Sequence, residues 1–395
     1  MVSERSGEQR HARNDRLIVE AAASVLAKDG WSGLTLSRVA RHAGLSVSPV
    51  RDRYPDRLAL AAAAWDQALA STWSDTMSAV IDAADAADPR DLAEALQPLL
   101  KPAAELRAAG ELLLVAAHDE QVRTLVTDLA LAPLARSLSP ALAGSPERAA
   151  VRGYVVMLAL GLLLESWRSH APDVDLAIPL EGLVTVLRAP AASRPLPPDR
   201  AAYLDQGPMI DTGDPLWDAV LRATLRQIGT YGYEAATVEA IVSEAGCSET
   251  VLFRRYATKA DAFLDATRRM VGAATELNVA FQQRMAEEHS PGLSEAIMMR
   301  EFMLPGREVE RVLGLEQYRL SWHDERMRIA TEAEQAPIVA GYLESLTHLP
   351  AGEALARLHL EFAMGMGTVW LAALLPESWE LPYDVVTVPL IDGVL

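Results

Sequence analysis

Residues 44–54 read Gly-Leu-Ser-Val-Ser-Pro-Val-Arg-Asp-Arg-Tyr, and residues 35–43 before them read Thr-Leu-Ser-Arg-Val-Ala-Arg-His-Ala. The spacing of the apolar residues predicts two short helices. Thr35 and Ser46 are suitable N-caps, and Gly44 can adopt the left-handed conformation that ends the first helix. Pro49 falls in the first turn of the second helix, where proline is tolerated. The stretch therefore predicts a helix-turn-helix, a motif that places its second helix in the major groove of DNA.

The same pattern recurs 202 residues later, where residues 237–256 read Thr-Val-Glu-Ala-Ile-Val-Ser-Glu-Ala-Gly-Cys-Ser-Glu-Thr-Val-Leu-Phe-Arg-Arg-Tyr. The repeat extends beyond the motif. Gly30-Trp31 corresponds to Gly232-Tyr233 at the same spacing, and the run His-Asp-Glu at residues 118–120 returns at residues 323–325. We therefore interpret the chain as two copies of one unit joined head to tail.

The composition predicts an all-α protein. Half of the 395 residues are hydrophobic, and most of these are Ala and Leu, which favour helices over strands. The single cysteine, Cys247, excludes an internal disulfide framework and a thiolate zinc cluster. The longest apolar stretch, residues 154–164, is shorter than the roughly 20 residues of a membrane helix, so we expect a soluble cytoplasmic protein without membrane contact.

No sequence pattern typical of an enzyme occurs in the chain. It contains no Ser-His-Asp order, glycine-rich phosphate loop, HExxH motif or cysteine cluster. The two His-Asp-Glu runs place adjacent side chains in different directions on a helix, so they do not converge on one ion without other ligands. We expect their acidic residues to favour helix starts, and we expect no catalysis, cofactor or metal.

The charge is distributed unevenly along the chain. The net charge of -18 argues against a general nucleic-acid binder, which is usually basic. Residues 1–60, however, contain 10 Lys/Arg and 7 Asp/Glu, whereas residues 203–263 contain 5 and 9. Contact with DNA is therefore expected to be local and anchored at the first motif.

Changes in composition divide the chain into two helix-turn-helix segments, two longer helical segments and a proline-rich linker. Residues 1–15 are polar and suit either a flexible DNA-contacting arm or a disordered tail. The predicted domains are residues 1–60 (arm and first DNA-binding domain), 61–188 (first helical regulatory domain), 189–214 (linker), 215–263 (second helix-turn-helix domain) and 264–395 (second helical regulatory domain).

The motif residues Gly44-Leu-Ser, Tyr54-Pro-Asp-Arg57, Gly246-Cys-Ser and Thr258-Lys259 resemble those of the TetR/AcrR family of transcriptional repressors. The resemblance covers about residues 14–70 and 216–270. It implies a dimer in which the last two long helices of each unit form a four-helix interface, and an effector that moves the DNA-binding heads apart. Because both units lie in one chain, we expect helices 147–169 and 175–188 to pair with 351–375 and 383–394 as an intramolecular pseudo-dimer. Further dimerisation stays open.

The resemblance also assigns residues to a double-stranded DNA operator, where base contacts set sequence and phosphate contacts set register. The base-facing positions are Val47, Ser48, Pro49 and Asp52 in the first copy and Glu249, Thr250, Val251 and Arg254 in the second. The positions at or near the phosphates are Thr35, Arg51, Arg53 and Arg57 in the first copy and Thr237, Phe253, Arg255 and Lys259 in the second. Since the two heads read with different residues, we expect an operator of two unlike half-sites about one helical turn apart.

A small, largely apolar effector is expected in a cavity within each unit. The candidate lining residues are aromatic, Met and His side chains: Trp73, Met77, His118, Met157, Trp167, Phe281, Met298, Phe302, Trp322, His323 and Met364. The favoured function is thus a transcriptional repressor released by an effector. The alternative is a ligand-binding or protein-interaction module with one or both heads vestigial, since Glu249 brings a carboxylate of the second head towards a polyanion.

Overall fold

A computed structural model describes residues 2–167, 174–193 and 210–393. Over these ranges the protein consists of helices and connecting turns without a strand, which confirms the all-α prediction. The first half contains α1 (Val2–Gly33), α2 (Leu36–His42), α3 (Val47–Arg51), α4 (Arg57–Ala64), α5 (Ala70–Ala86), α6 (Pro89–Leu100), α7 (Ala104–Val115), α8 (Glu120–Val126), α9 (Ala132–Ser137), α10 (Pro140–Ala143), α11 (Pro146–Glu165) and α12 (Ala177–Arg188).

Two π-helical turns, at residues 65–69 and 127–131, interrupt helices of the first half. The second half contains no such turn in its described residues, and its helices are fewer and longer. Its elements are α13 (Pro215–Ala235), α14 (Val238–Glu244), α15 (Glu249–Arg255), α16 (Lys259–Glu288), α17 (Pro291–Met303), α18 (Glu308–Ser321), α19 (Glu325–Ser345), α20 (Ala351–Leu374), a 3-10 turn (Pro376–Glu380) and α21 (Asp384–Asp392).

Local signals place the ends of the short head helices. The Thr35 hydroxyl accepts a hydrogen bond from the Arg38 amide at 3.2 Å, which caps α2. Gly44 has φ +68, the left-handed conformation that ends this helix. The predicted cap at Ser46 is only partly right, since Ser46 stands at the N-cap position of α3 but its side chain accepts no hydrogen bond from that helix.

The polar residues 2–15, predicted to be either a flexible arm or a disordered tail, lie in α1, which begins at Val2. One sequence prediction about the first half requires correction. The long helix expected to run to Ser169 ends at Glu165, and residues 168–173 lie outside the described part of the chain. Most of the predicted linker, residues 194–209, also lies outside it.

The centre of the molecule is a close crossing of α11 and α20. A Cβ atom added to Gly161 would lie 1.7 Å from the Ala363 carbonyl oxygen, and one added to Gly367 would lie 1.7 Å from that of Met157. Glycine at these positions therefore allows the two backbones to touch. Helices α12 and α21 pack beside this crossing. Although α11 is buried on nearly all sides, none of the described helices is long and apolar enough to cross a membrane.

Candidate DNA interface and effector cavity

The first head presents the second helix of its motif to solvent. Val50 of α3 is fully buried against the core, while Ser48, Arg51 and Asp52 are exposed. Val47 and Pro49, also predicted to face bases, are half-buried. Of the five residues within 47–52 that are predicted to contact DNA, three are therefore accessible to a ligand without rearrangement of the head.

The second head has the same arrangement around α15. Leu252 is fully buried, and the exposed residues are Glu249, Thr250, Phe253, Arg254 and Arg255. Among the described residues, Arg254 has no ion-pair partner, so its guanidinium is available to an external acceptor. With Thr237, six of the eight predicted DNA-facing positions of this head are exposed, and Val251 and Lys259 are half-buried.

Several predicted phosphate ligands are held by neighbouring groups. Arg53 donates to the Pro49 carbonyl at 2.8 Å and is half-buried. The guanidinium of Arg57 stacks on the Trp31 ring at 4.1 Å, and the ammonium of Lys259 lies 4.1 Å from the Tyr233 ring centroid. Arg255 stacks on an aromatic ring in the same way. The three cations on aromatic rings hold each motif against the first helix of its head. Arg51 and Arg254 are the cations least engaged by protein groups.

A network of buried charged side chains lies beneath both heads. Its members are Glu111 of α7, Glu316 and Arg319 of α18, His118 and His323, with Glu234 at its margin. The Glu111 carboxylate accepts from the Trp31 amide at 2.6 Å and the Glu316 carboxylate from the Tyr233 amide at 2.7 Å. Trp31 and Tyr233 each follow a glycine with positive φ, near the end of the first helix of a head. Each glutamate therefore holds the backbone of a head at this point.

Each of the two histidines contacts a glutamate that belongs to the other half of the chain. His323 of the second half lies 3.1 Å from the Glu111 carboxylate, and His118 of the first half lies 3.1 Å from that of Glu316. A Cβ atom on Gly30 or Gly232 would overlap with His323 or His118, respectively. The absence of a side chain at these glycines thus leaves space for each imidazole to pack against the head of the other half.

Arg319 neutralises both glutamates. Its guanidinium donates to Glu111 at 2.7 Å, to Glu316 at 2.6 Å and to Glu234 at 2.6 Å. Burial opposes ionisation of Glu111 and Glu316, but Arg319 and the facing histidine overcome that effect and hold the pKa of each carboxyl below its usual value. Burial also disfavours the charged guanidinium, yet the three carboxylates raise the pKa of Arg319. Glu111, Glu316 and Arg319 are therefore ionised in the folded protein.

The predicted ligand residues separate into three groups. Met298, Phe302 and Met364 line a cavity of about 580 Å³ between the two halves. His118 and His323 belong to the charged network. The others are packed in the apolar interior: Trp73, Met77, Met157, Trp167, Phe281 and Trp322.

Trp73 and Met77 border a space of only about 70 Å³, which is smaller than the pockets of several hundred Å³ that hold small-molecule ligands. The second half contains a cavity of about 800 Å³ between α16 and α19, which none of the predicted residues lines. The 580 Å³ cavity, by contrast, joins helices of both halves and does not lie inside one unit.

The acidic residues of the His-Asp-Glu runs start helices, as predicted. Asp119 accepts from two amides at the start of α8, and Asp324 does the same at the start of α19. Arg328 pairs locally with Glu325 and Glu332. Arg123 has no local acid as partner; its guanidinium donates to the Ala116 carbonyl and to the Ala373 and Leu374 carbonyls at the end of α20.

Residues 220–266 match a family model described as bacterial regulatory proteins, tetR family. The match supports a DNA-binding transcriptional regulator of the TetR family. It spans most of α13, all of α14 and α15 and the start of α16, which is the acidic head rather than the basic one. No curated protein matches the chain.

Sequence reasoning missed the charged network and the acids of the cavity. One signal was present: Glu111 and Glu316 are separated by 205 residues, as are His118 and His323, and each glutamate precedes its histidine by seven residues. A seven-residue separation brings two side chains to the same face of a helix. A buried glutamate could have been inferred from that repeated pair, but its partner in the opposite half could not.

Proposed function

We propose that this protein is a transcriptional repressor that binds DNA through two unlike heads and is released by a small effector. The observation that carries the proposal is the family match over residues 220–266, together with the exposed reading face of α15 that those residues form. The exposed face of α3 supports a second contact with DNA. We expect two unlike half-sites about one helical turn apart, roughly 34 to 36 Å.

We further propose that the chain folds as two tandem units paired like the subunits of a dimer. The reciprocal contacts support this pairing: Gly161 with Ala363 and Gly367 with Met157 at the helix crossing, and the exchanged histidines beneath the heads. The order of helices supports it too, because α13 to α15 follow the order of α1 to α3 and α20 and α21 that of α11 and α12. One chain would then occupy one operator.

Footprinting on the DNA around the protein's own coding region, combined with the mass of the complex, tests this model. We expect one chain of 42.7 kDa per operator and a protected region without a palindrome. A perfect palindrome occupied by two chains would contradict the intramolecular pairing, while leaving DNA binding intact.

Single alanine substitutions measure the contribution of each head. Arg254→Ala is expected to weaken operator binding about 5- to 150-fold and to relax base preference at one position, as expected when a base contact of about 1 to 3 kcal/mol is lost. Arg51→Ala is expected to weaken binding to all sequences and to lower the salt slope by about one. Fluorescence anisotropy over a range of salt concentrations gives both quantities.

The matched control is Arg90→Ala, which removes an exposed arginine remote from both heads and should leave binding within twofold. An effect of Arg51→Ala without one of Arg254→Ala would indicate a one-headed protein. The acidic composition of residues 203–263 favours the second candidate function, a ligand-binding or protein-interaction module without DNA contact. Absence of any retarded complex at low salt would favour that module.

A further inference from the structure

The 580 Å³ cavity lies between the two halves of the chain. Helices α17, α19, α20 and α21 form its second-half wall, and residues of α11 and α12 form the opposite wall. Its volume is in the range of cavities that enclose drug-sized molecules. An occupant would touch both halves at once, so its binding free energy depends on their separation.

The wall of this cavity combines apolar surface with an excess of acids. Met298, Phe302 and Met364 provide thioether and aromatic surface. The ionisable carboxyl and guanidinium groups on the wall are four glutamates and one arginine: Glu181, Glu295, Glu353, Glu361 and Arg357. The charge of the wall is therefore negative when the acids are ionised.

The arginine on the wall is already paired. Arg357 lies 3.0 Å from the Glu353 carboxylate, one helical turn away on α20. Glu295 and Glu361, by contrast, have no hydrogen-bond or ion-pair partner within the described part of the chain. Glu361 is exposed and Glu295 is half-buried, and both border the cavity. Two carboxyl groups thus lie on the wall of the same cavity without a cation of their own.

The surroundings of Glu295 change its acidity. Burial, reinforced by the like charge of Glu361, raises the pKa of Glu295 to about 7. When both carboxyl groups are ionised, two like charges lie on this wall without a cation of their own, so a positively charged ligand is favoured there.

The other half of the chain offers an internal comparison. Pro89 and Pro291 begin α6 and α17 at a spacing of 202, and Gly161 and Gly367 of the helix crossing are separated by 206. At these spacings Glu295 corresponds to Ala93 and Glu361 to Val155, and both counterparts are buried. The acid pair is therefore particular to the second half, so it is not a requirement of the shared helical scaffold.

We propose that the interhalf cavity binds an organic cation with an apolar body, whose positive charge lies at Glu295 and Glu361. The apolar body contacts Met298, Phe302 and Met364, and aromatic and thioether groups are well suited to a poorly hydrated cation. This proposal deepens the proposed function by naming the chemical class of the effector. It rests on that function only for the consequence on DNA binding, because ligand binding itself is measured without DNA.

Tetraphenylphosphonium and tetraphenylborate are suitable probes, since they are nearly equal in size and opposite in charge. We expect isothermal titration calorimetry on the full chain to show saturable binding of tetraphenylphosphonium at least 30-fold tighter than that of tetraphenylborate. Benzyltriethylammonium, a smaller cation, serves as a second probe. Equal affinity for the two tetraphenyl ions, or failure of both cations to bind, would overturn the proposal.

Substitutions locate the site. The double variant Glu295→Gln and Glu361→Gln keeps the side-chain shape and is expected to lose at least 10-fold in affinity for tetraphenylphosphonium. Glu377→Gln removes an exposed acid outside the cavity and should change affinity less than twofold. Unchanged affinity in the double variant, with an unchanged melting temperature, would place the cation elsewhere and contradict the proposal.

The pH dependence gives an independent check. Ionisation of Glu295 favours a cation, so affinity should rise as the pH increases through about 7. The groups that face Glu295 are Glu353, Arg357 and Glu361 from α20, Tyr342 from α19, Tyr154 from α11 and Glu181 from α12. A rise near pH 7 that Glu295→Gln removes is the expected result, and a rise that persists in this variant would contradict the assigned role.

If the cation acts as effector, tetraphenylphosphonium should also weaken the DNA complex in the wild-type protein but not in the double variant. Binding of the cation without release of DNA would sustain the site and reject its role in regulation. Release of DNA by the cation in both proteins would reject the site. The calorimetric titration contains no DNA, so it tests the cation site alone. Absence of DNA binding would contradict the proposed function without affecting that result.

Discussion

Replacing Arg319 with methionine is expected to lower the free energy of unfolding by about 3 to 5 kcal/mol, which is the usual cost of removing one partner from a buried ion pair. The substitution preserves much of the side-chain volume but leaves Glu111 and Glu316 buried without their guanidinium. Both carboxylates also hold the first helices of the heads through the Trp31 and Tyr233 amides. We therefore expect operator binding to weaken together with stability.

Urea denaturation followed by circular dichroism measures this effect. Arg326→Met is the matched control, since Arg326 pairs with Asp261 at the surface and such pairs contribute at most about 1 kcal/mol. Adding Glu111→Gln and Glu316→Gln to Arg319→Met should recover much of the loss, because no unpaired carboxylate then remains at the centre of the network. A loss below 1 kcal/mol for Arg319→Met would show that the guanidinium does not compensate those acids.

Alanine at Gly161 is expected to destabilise the protein by about 3 kcal/mol or more. Its methyl group would overlap with the Ala363 carbonyl oxygen, and neither backbone can yield without separating α11 from α20. Overpacking in a rigid interior typically costs about 1 to 3 kcal/mol, and contact with backbone falls at the upper end. Thermal unfolding of the purified full chain measures the change.

Gly365→Ala on α20 is the control for helix propensity. A Cβ atom there would have no neighbour within 4 Å, so this substitution should stabilise the helix by about 0.5 to 1 kcal/mol. Gly367→Ala should behave like Gly161→Ala, because its methyl group would meet the Met157 carbonyl oxygen. Equal effects of the alanines at 161 and 365 would contradict the close crossing.

The head motifs were predictable because their signals are local. Thr35 caps α2 and Gly44 ends it within ten residues of sequence, so neither depends on the rest of the fold. Aromatic and Met residues were less informative. Trp73 and Met157 have the composition of ligand contacts, but burial of large apolar side chains serves any helical core equally well.

The charged network and the acidic cavity could not be derived in the same way. Glu111 and Arg319 are 208 residues apart, and their contact depends on which helices of the two halves meet. The pairing of Glu295 with Glu361 likewise depends on how α17 lies against α20. Sequence periodicity assigns a residue to a face of its helix, but it does not identify the distant helix that covers this face.

The position of Arg319 has a consequence for how the protein can evolve. Glu111 and Glu316 occupy equivalent positions at the 205-residue spacing, but the residue equivalent to Arg319 is Leu114. A single guanidinium therefore pairs with both glutamates. In a homodimer the same gene would encode both sides, and a second arginine would bring a second positive charge into the same buried space. A single continuous chain can mutate each side of such an interface separately. It also keeps its two halves together at any dilution, so contacts between the halves do not depend on the protein concentration.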